Sequence, residues 1–177
     1  MDIAWHRDKN FLPSVKEYLA MVQLKTGTLA SLAAKIGVLS AGADKNLIES
    51  VGLSAAKIGA GFQIIDDVIN LTSGNPGKKR GDDIVEGKKS LPVLLFLAQE
   101  GLDSIKGKKL VECFSLAGKE GIDSPSVEEA IGLLENSGLI EEARKRGLSF
   151  IEKGSSEFEE LFGKDNSAVK KIALLFK

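Results

Sequence analysis

Apolar residues recur at intervals of three and four along most of the chain, as they do on the buried face of an α-helix. No stretch of useful length alternates apolar and polar residues, which is the pattern of a half-buried strand. Glycines and turn-forming residues separate the periodic segments. The pattern therefore predicts an all-α fold, as one domain over residues 1–177. The predicted helices cover residues 15–39, 45–71, 91–99, 104–116, 126–137, 139–162 and 168–176.

Capping residues mark where several of these helices begin. Ser14 is followed three residues later by Glu17, which is the pattern of a capping box. Asp44 is placed to cap the second long helix. Ser126 and Glu129 repeat the capping-box spacing and predict that a later helix begins at Ser126.

The first long helix contains Lys25, Thr26 and Gly27 in its middle. A glycine inside a helix costs about 1 kcal/mol relative to alanine, so Gly27 indicates a kink or a close approach of another segment. The apolar residues of this helix, among them Leu29, Leu32 and Ile36, are expected to supply core contacts.

Composition excludes several classes of protein. Hydrophobic residues make up 43% of the 177 residues, charged residues 28%, and the net charge is −1, so nothing indicates a nucleic-acid partner. No apolar run has membrane-spanning length, and the N-terminus lacks a signal-peptide pattern, so no transmembrane segment is expected. Cys113 is the only cysteine, which excludes an intrachain disulfide, favours the cytoplasm and predicts a small buried side chain.

A polar stripe lies inside the apolar second helix. Gln63, Asp66, Asp67 and Asn70 fall at i, i+3, i+4 and i+7, along one side of a helix. Burying unpaired carboxylates costs several kcal/mol, so this pair is expected to meet cations. Carboxylate and amide oxygens suit a hard divalent ion such as Mg²⁺.

A glycine-hinged basic loop follows the stripe. It contains Lys78, Lys79 and Arg80, and later Lys88 and Lys89. Ammonium groups beside a metal-binding acid pair are what a diphosphate requires. The alternative interpretation is a solvated basic turn next to a helix end near solvent.

These two segments resemble the second aspartate-rich region of the trans-isoprenyl diphosphate synthases. The family's FQxxDDxxD helix reads Phe62 to Asn70 here, and its GKxxGxDxxxGKxTxP loop reads Gly77 to Pro92. The triplet at 25–27 matches the family's KTG motif. Asn70 stands where the family has its third aspartate, which removes one negative charge from the site.

The resemblance implies a helical bundle of the isoprenoid synthase type and a Mg²⁺-dependent prenyltransferase that condenses isopentenyl diphosphate with an allylic diphosphate. By the same resemblance Asp66 and Asp67, with Asn70 third, would be magnesium ligands. The remaining expected site residues are Lys25 and Lys78 against the allylic diphosphate, Thr26 and Gln63 beside the departing group, and Lys88 as a further diphosphate contact.

The family's first aspartate motif has no counterpart in the sequence, so the chain resembles the C-terminal portion of such a synthase without its N-terminal helices. We therefore expect no turnover from this chain alone. We also expect exposed apolar helix faces and a homo- or hetero-oligomer. Two alternatives remain open: a non-catalytic partner subunit of a heteromeric synthase, and an unrelated helical metal-binding protein.

Overall fold

A computed structural model of the chain describes residues 12–74, 77 and 79–174. Within these residues it contains helices and turns and no strand, which confirms the predicted all-α class. The helices are α1 (Val15–Val22), a π-helical turn (Gln23–Gly27), α2 (Thr28–Ser40), α3 (Lys45–Leu71), α4 (Asp82–Val85), α5 (Leu91–Glu100), α6 (Ile105–Glu120), α7 (Pro125–Asn136), α8 (Leu139–Phe162) and α9 (Ser167–Leu174).

Two of the predicted helix caps are confirmed. The Ser14 backbone N–H donates to the Glu17 carboxylate at 2.7 Å, and the Glu17 N–H donates to the Ser14 hydroxyl at 3.2 Å, so the capping box is formed at the start of α1. Asp44 accepts from the backbone N–H groups of Asn46 and Leu47 at 2.8 and 3.0 Å and caps α3.

The predicted cap at Ser126 is wrong. The hydroxyl of Ser124 accepts the Ser126 N–H at 3.3 Å, and α7 begins with Pro125. Proline suits the first position of a helix because that N–H has no partner within the helix, so Pro125 moves the start one residue earlier. The short helix α4 in the basic loop was not predicted.

The chain divides into two compact units. The first unit comprises residues up to 18 and residues 64–144, and the second comprises residues 19–63 and 145 onward. In the first unit α5 buries every residue from Leu91 to Leu97, and Cys113 is fully buried in α6, as predicted. The core of the second unit contains Val51, Ala55, Ile58, Phe158 and Val169.

Gly27 lies at a close helix contact in the second unit. A Cβ added to Gly27 would come within 3.0 Å of the Ala56 carbonyl oxygen, and one added to Gly59 within 2.8 Å of the Ala30 Cβ. The backbone around Gly27 is π-helical rather than α-helical. The predicted close approach is therefore confirmed, and it brings the π-helical turn against α3.

The predicted core role of Leu29, Leu32 and Ile36 is wrong. These side chains are 66%, 55% and 54% exposed and, with Leu39, form an outer stripe on α2. The same helix packs Ala30, Ala34 and Val38 against the core of the second unit. Because α2 is apolar on both sides and only one side packs against the core, the outer stripe is left exposed to solvent. It is an exposed apolar helix face of the kind that the sequence predicted. No helix within the described ranges is both long and apolar enough to cross a membrane.

Candidate functional site

Asp67 is the centre of a buried polar cluster in the first unit. Its side chain is 1% exposed, yet both carboxylate oxygens accept protein donors. The Tyr18 hydroxyl donates to Oδ2 at 2.7 Å, and the Lys88 ammonium contacts Oδ1 at 2.8 Å. Helix α3 therefore presents this carboxylate to one residue from α1 and one from the basic loop, which satisfies its buried charge.

Lys88 also bridges to a second carboxylate. Its ammonium lies 2.8 Å from Asp83 Oδ2, so one lysine stands between two buried acids. Burial opposes the charged form of Lys88, but the charges of Asp67 and Asp83 outweigh it and raise the lysine pKa. Burial raises the pKa of Asp83 despite the neighbouring ammonium. Burial, followed by the charge of Asp67, raises the pKa of Tyr18 well above its usual value, so Tyr18 remains a neutral donor.

Asn70 fastens the basic loop to the end of α3. Its side-chain Oδ1 accepts the Asp83 backbone N–H at 3.1 Å, and its carbonyl oxygen accepts the Gly81 N–H at 2.8 Å. Gly81 adopts φ +83°, and an added Cβ would meet Val127 at 2.4 Å, so this turn requires glycine. The Asn70 side chain, although it belongs to α3, therefore caps the N-terminus of α4. Its buried Nδ2 has no hydrogen-bond partner among the described residues.

Two further cations of the basic loop, Lys79 and Arg80, face acids. Lys79 pairs with Asp123 at 2.8 Å, and Arg80 lies 2.9 Å from Glu135 and 3.6 Å from Glu128. In all three pairs at least one partner is solvent-exposed, so each pair contributes little stability. Lys78, predicted as a diphosphate contact, lies outside the described residues.

The second unit brings together two of the predicted residues. The Thr26 hydroxyl donates to Gln63 Oε1 at 2.9 Å, joining the π-helical turn to α3. Lys25 lies beside Thr26 in that turn and is exposed.

The predicted magnesium ligands do not present three open oxygen groups. Both oxygens of Asp67 and the side-chain oxygen of Asn70 already accept protein donors, whereas Asp66 is only partly buried. No group of three or more acidic, histidine or cysteine side chains in the described residues could hold a metal ion. The donor types of the stripe, carboxylate and amide oxygens, fit Mg²⁺.

Sequence reasoning missed Tyr18 and Asp83 as members of this cluster. Tyr18 lies within the apolar periodicity of its helix, and Asp83 lies within the loop that matches the family motif. The available signal was that Asp67 lies in an apolar helix and therefore requires a donor from another segment. No spacing rule shows which tyrosine or lysine provides it.

Comparison with known proteins gives related sequences and structures. The Polyprenyl synthetase family model matches residues 1–124. The chain is 35% identical over 147 residues to a geranylgeranyl diphosphate synthase of Methanosarcina mazei, covering 82% of this chain and 42% of that protein. It is 34% identical over 150 residues to a geranylfarnesyl diphosphate synthase of Natronomonas pharaonis, covering 84% of this chain and 41% of that protein.

A crystal structure of a geranylgeranyl pyrophosphate synthetase from Pyrococcus horikoshii superposes with a TM-score of 0.77 at 30% identity. The match covers 95% of this chain and 49% of that one. The predicted fold type is therefore confirmed, and the chain spans about half the length of the relatives that it matches.

Proposed function

The chain belongs to the polyprenyl synthetase family, and we propose that it carries one half of the active site of a prenyltransferase. The reaction would condense isopentenyl diphosphate with an allylic diphosphate in isoprenoid biosynthesis, in the cytoplasm. The observation that supports this proposal is that Lys88, from the basic loop, reaches Asp67 on α3 at 2.8 Å. A diphosphate site needs an acidic helix and a basic loop folded together in this way.

The proposed roles are those that the resemblance to the family motifs implies for these residues. Magnesium, when bound, would neutralise diphosphate charge and favour its departure. Asp66 would hold the ion because it is the more accessible carboxylate of the pair. Lys25, which is exposed, would bind the allylic diphosphate and neutralise its growing charge, and Lys78 would do the same from the basic loop.

Thr26 would orient Gln63. The hydrogen bond from the Thr26 hydroxyl to Gln63 Oε1 fixes the carboxamide, so that its position beside the departing group is set before substrate binds. Neither side chain needs to exchange a proton in this role. Both act by orientation.

A second candidate function is that of a non-catalytic partner subunit. Asn70 in place of the family's third aspartate favours it, because this amide caps α4 instead of adding a charge to a metal site. The outer stripe of α2 would supply an apolar surface for association in either case, with a second copy or with a longer synthase chain.

The test is a pair of assays on the purified chain of verified mass. Binding of geranyl diphosphate is measured with and without Mg²⁺, and product formation is measured after adding isopentenyl diphosphate. We expect Mg²⁺-dependent binding without elongated product, and loss of binding in Lys25→Ala. Absence of Mg²⁺-dependent binding contradicts the proposal. Elongated product would show that the chain completes an active site.

The partner-subunit function gives a different result. Co-expression with a full-length synthase is followed by affinity purification and product analysis. A stable complex whose product distribution is unchanged by Lys25→Ala favours the partner role. A complex whose activity requires Lys25 favours the catalytic role.

A further inference from the structure

A groove runs between α5 and α6 in the first unit and encloses about 450 Å³, a volume within the range of small-molecule sites. Its described lining contains none of the buried polar cluster formed by Tyr18, Asp67, Asn70, Asp83 and Lys88. We propose that this groove binds a single-chain amphiphile with a monoanionic headgroup, namely a carboxylate of the fatty-acid type. The proposal goes beyond the prenyltransferase function and does not depend on it.

The two helices of the groove run in opposite directions. A Cβ added to Gly118, near the end of α6, would lie 3.5 Å from the carbonyl oxygen of Val85, which precedes α5. A Cβ added to Gly107, near the start of α6, would meet the carbonyl oxygen of Gly101, which follows α5. The groove therefore has a loop end, beside residues 85–89, and a turn end, beside the connection from α5 to α6.

Charge is confined to the loop end. The charged residues that line the groove, among those that the structure describes, are Glu86, Lys89 and Lys119. The first two belong to the basic loop, and Lys119 lies in the last turn of α6 beside Gly118. Two lysines and one glutamate leave a net charge of +1, which complements a single negative charge. A diphosphate would bring more negative charge than this end balances.

Adjacent lysines of the basic loop line different sites. The Lys88 ammonium lies 2.8 Å from both Asp67 and Asp83, inside the buried cluster. Lys89, the next residue, lines the loop end of the groove and is partly buried. One loop thus contributes a cation to the buried acids and another to the groove.

The rest of the groove is largely apolar. Val93 and Leu97 of α5 line it and are only 3% and 6% exposed, whereas Leu102 and Val111 at the turn end are 46% and 48% exposed. Phe114 adds an aromatic side chain from α6. A concave apolar surface with charge at one end fits a molecule that has an apolar chain and one charged head.

The groove accommodates a chain of limited length. Residues 111–118 of α6 span about 10 Å at the helical rise of about 1.5 Å per residue. Each methylene group that enters an apolar site strengthens binding by about fourfold. The affinity of fatty acids should therefore rise with chain length and level off once the chain outgrows the groove.

Isothermal titration calorimetry of the whole chain tests the proposal. The probes are octanoate, decanoate, dodecanoate and palmitate, each below its micelle concentration and without Mg²⁺. We expect the affinity to rise from octanoate to dodecanoate and then to level off. Dodecyltrimethylammonium has the same tail and the opposite charge, and it should bind at least about tenfold more weakly than dodecanoate.

Gly118→Leu locates the binding, because a side chain at this position enters the loop end of the groove beside Val85. It should weaken dodecanoate binding by about tenfold or more. Gly132→Leu is the matched control, since it makes the same change in a helix of the same unit where an added Cβ meets nothing within 4 Å. It should stay within about twofold of the unaltered chain.

Lys119→Ala tests the headgroup. It should weaken dodecanoate binding by about threefold and strengthen dodecyltrimethylammonium binding, because it removes a positive charge from the loop end. Lys153→Ala removes an exposed lysine of the second unit and should change neither affinity.

Equal binding of dodecanoate and dodecyltrimethylammonium overturns the proposal, and so do equal dodecanoate affinities of Gly118→Leu and Gly132→Leu. In the latter case, a loss of self-association in Gly118→Leu alone would assign the groove to a second copy of the chain. Geranyl diphosphate that displaces dodecanoate as effectively as decanoate does, without Mg²⁺, would overturn the monoanionic headgroup.

A second variant covers the case in which Gly118→Leu does not fold. Val111→Glu changes a half-exposed residue and places a negative charge at the apolar turn end. We expect it to weaken dodecanoate binding by about tenfold. An unchanged affinity would contradict the proposed site.

Discussion

The hydroxyl of Tyr18 donates a 2.7 Å hydrogen bond to Asp67, 49 residues later in the chain. Both side chains are 1% exposed, so water does not replace this bond if it is lost. The contact joins the short helix α1 to the acidic end of α3. It is therefore a direct link between a residue with no assigned chemistry and the aspartate pair of the proposed site.

Tyr18→Phe should destabilise the protein by about 1–3 kcal/mol, because it leaves one buried carboxylate oxygen without a donor. Urea unfolding followed by circular dichroism measures the change. Lys16→Ala, an exposed change on the same helix, serves as the control and should stay within about 0.5 kcal/mol of the unaltered chain. An equal effect of the two substitutions would contradict the role given to the Tyr18 hydroxyl.

Cys113 should make stability depend on pH in the alkaline range. Burial, followed by hydrogen bonding of the thiol to Glu129, raises the pKa of Cys113 to about 11, against about 8.5 in an unfolded chain. The folded state then binds more protons, so stability falls as pH rises from about 8.5 to about 11. Below pH 8.5 both states hold the proton, and this group adds no pH dependence.

Thermal unfolding between pH 7 and 11, in steps, measures this effect against Cys113→Ser. The serine hydroxyl does not titrate, so the variant should lose less stability than the unaltered chain above about pH 8.5, whereas the two curves should run parallel below it. Curves that remain parallel throughout would show that the Cys113 thiol does not titrate differently in the two states.

The contact between the π-helical turn and α3 predicts opposite effects of two glycine substitutions. A Cβ on Gly59 would lie 2.8 Å from the Ala30 Cβ and 3.0 Å from the Thr26 carbonyl oxygen, so Gly59→Ala forces the helices apart and should cost about 1–3 kcal/mol. Gly37 is exposed in α2 with nothing within 4 Å. Gly37→Ala should stabilise by about 0.5–1 kcal/mol through helix propensity.

Differential scanning calorimetry of both variants measures these changes. The sign of the change in stability is the informative result, since both substitutions add the same methyl group to a helix. A stabilising Gly59→Ala would mean that the helices separate at no cost. Geranyl diphosphate binding of Gly59→Ala should also weaken, because the contact places Thr26 against Gln63.

Local signals predicted much of the fold. The bounds of α3 and α8 were predicted correctly because long amphipathic stretches end there at clear glycine or turn residues. The capping box at Ser14 depends only on neighbours in sequence, and so it was also correct. The start of α7 was wrong by one residue because Pro125 outweighed the serine–glutamate spacing.

The site was predictable as a set of residue types and less so as a set of contacts. The sequence indicated that Asp67 needs cations, and Lys88 supplies one. It did not show that Tyr18 would take the other oxygen, or that Asn70 would cap α4. Tertiary packing between different segments of the chain determines those partners. Hydrophobic periodicity predicts single helices and gives no information about such contacts.

The outer stripe of α2 predicts that the isolated chain associates with itself. Leu29, Leu32, Ile36 and Leu39 repeat at intervals of three, four and three residues and are 54–66% exposed, so they form one continuous apolar edge. Sedimentation velocity over about a hundredfold range of concentration should show a rising mean mass.

The double substitution Leu32→Glu with Ile36→Lys should keep the chain monomeric, because it places charges on that edge without touching the core of the second unit. Ile105→Lys, which changes a 90% exposed residue in the other unit, is the matched control and should associate like the unaltered chain. Association that persists in the double variant would place the contact on another surface.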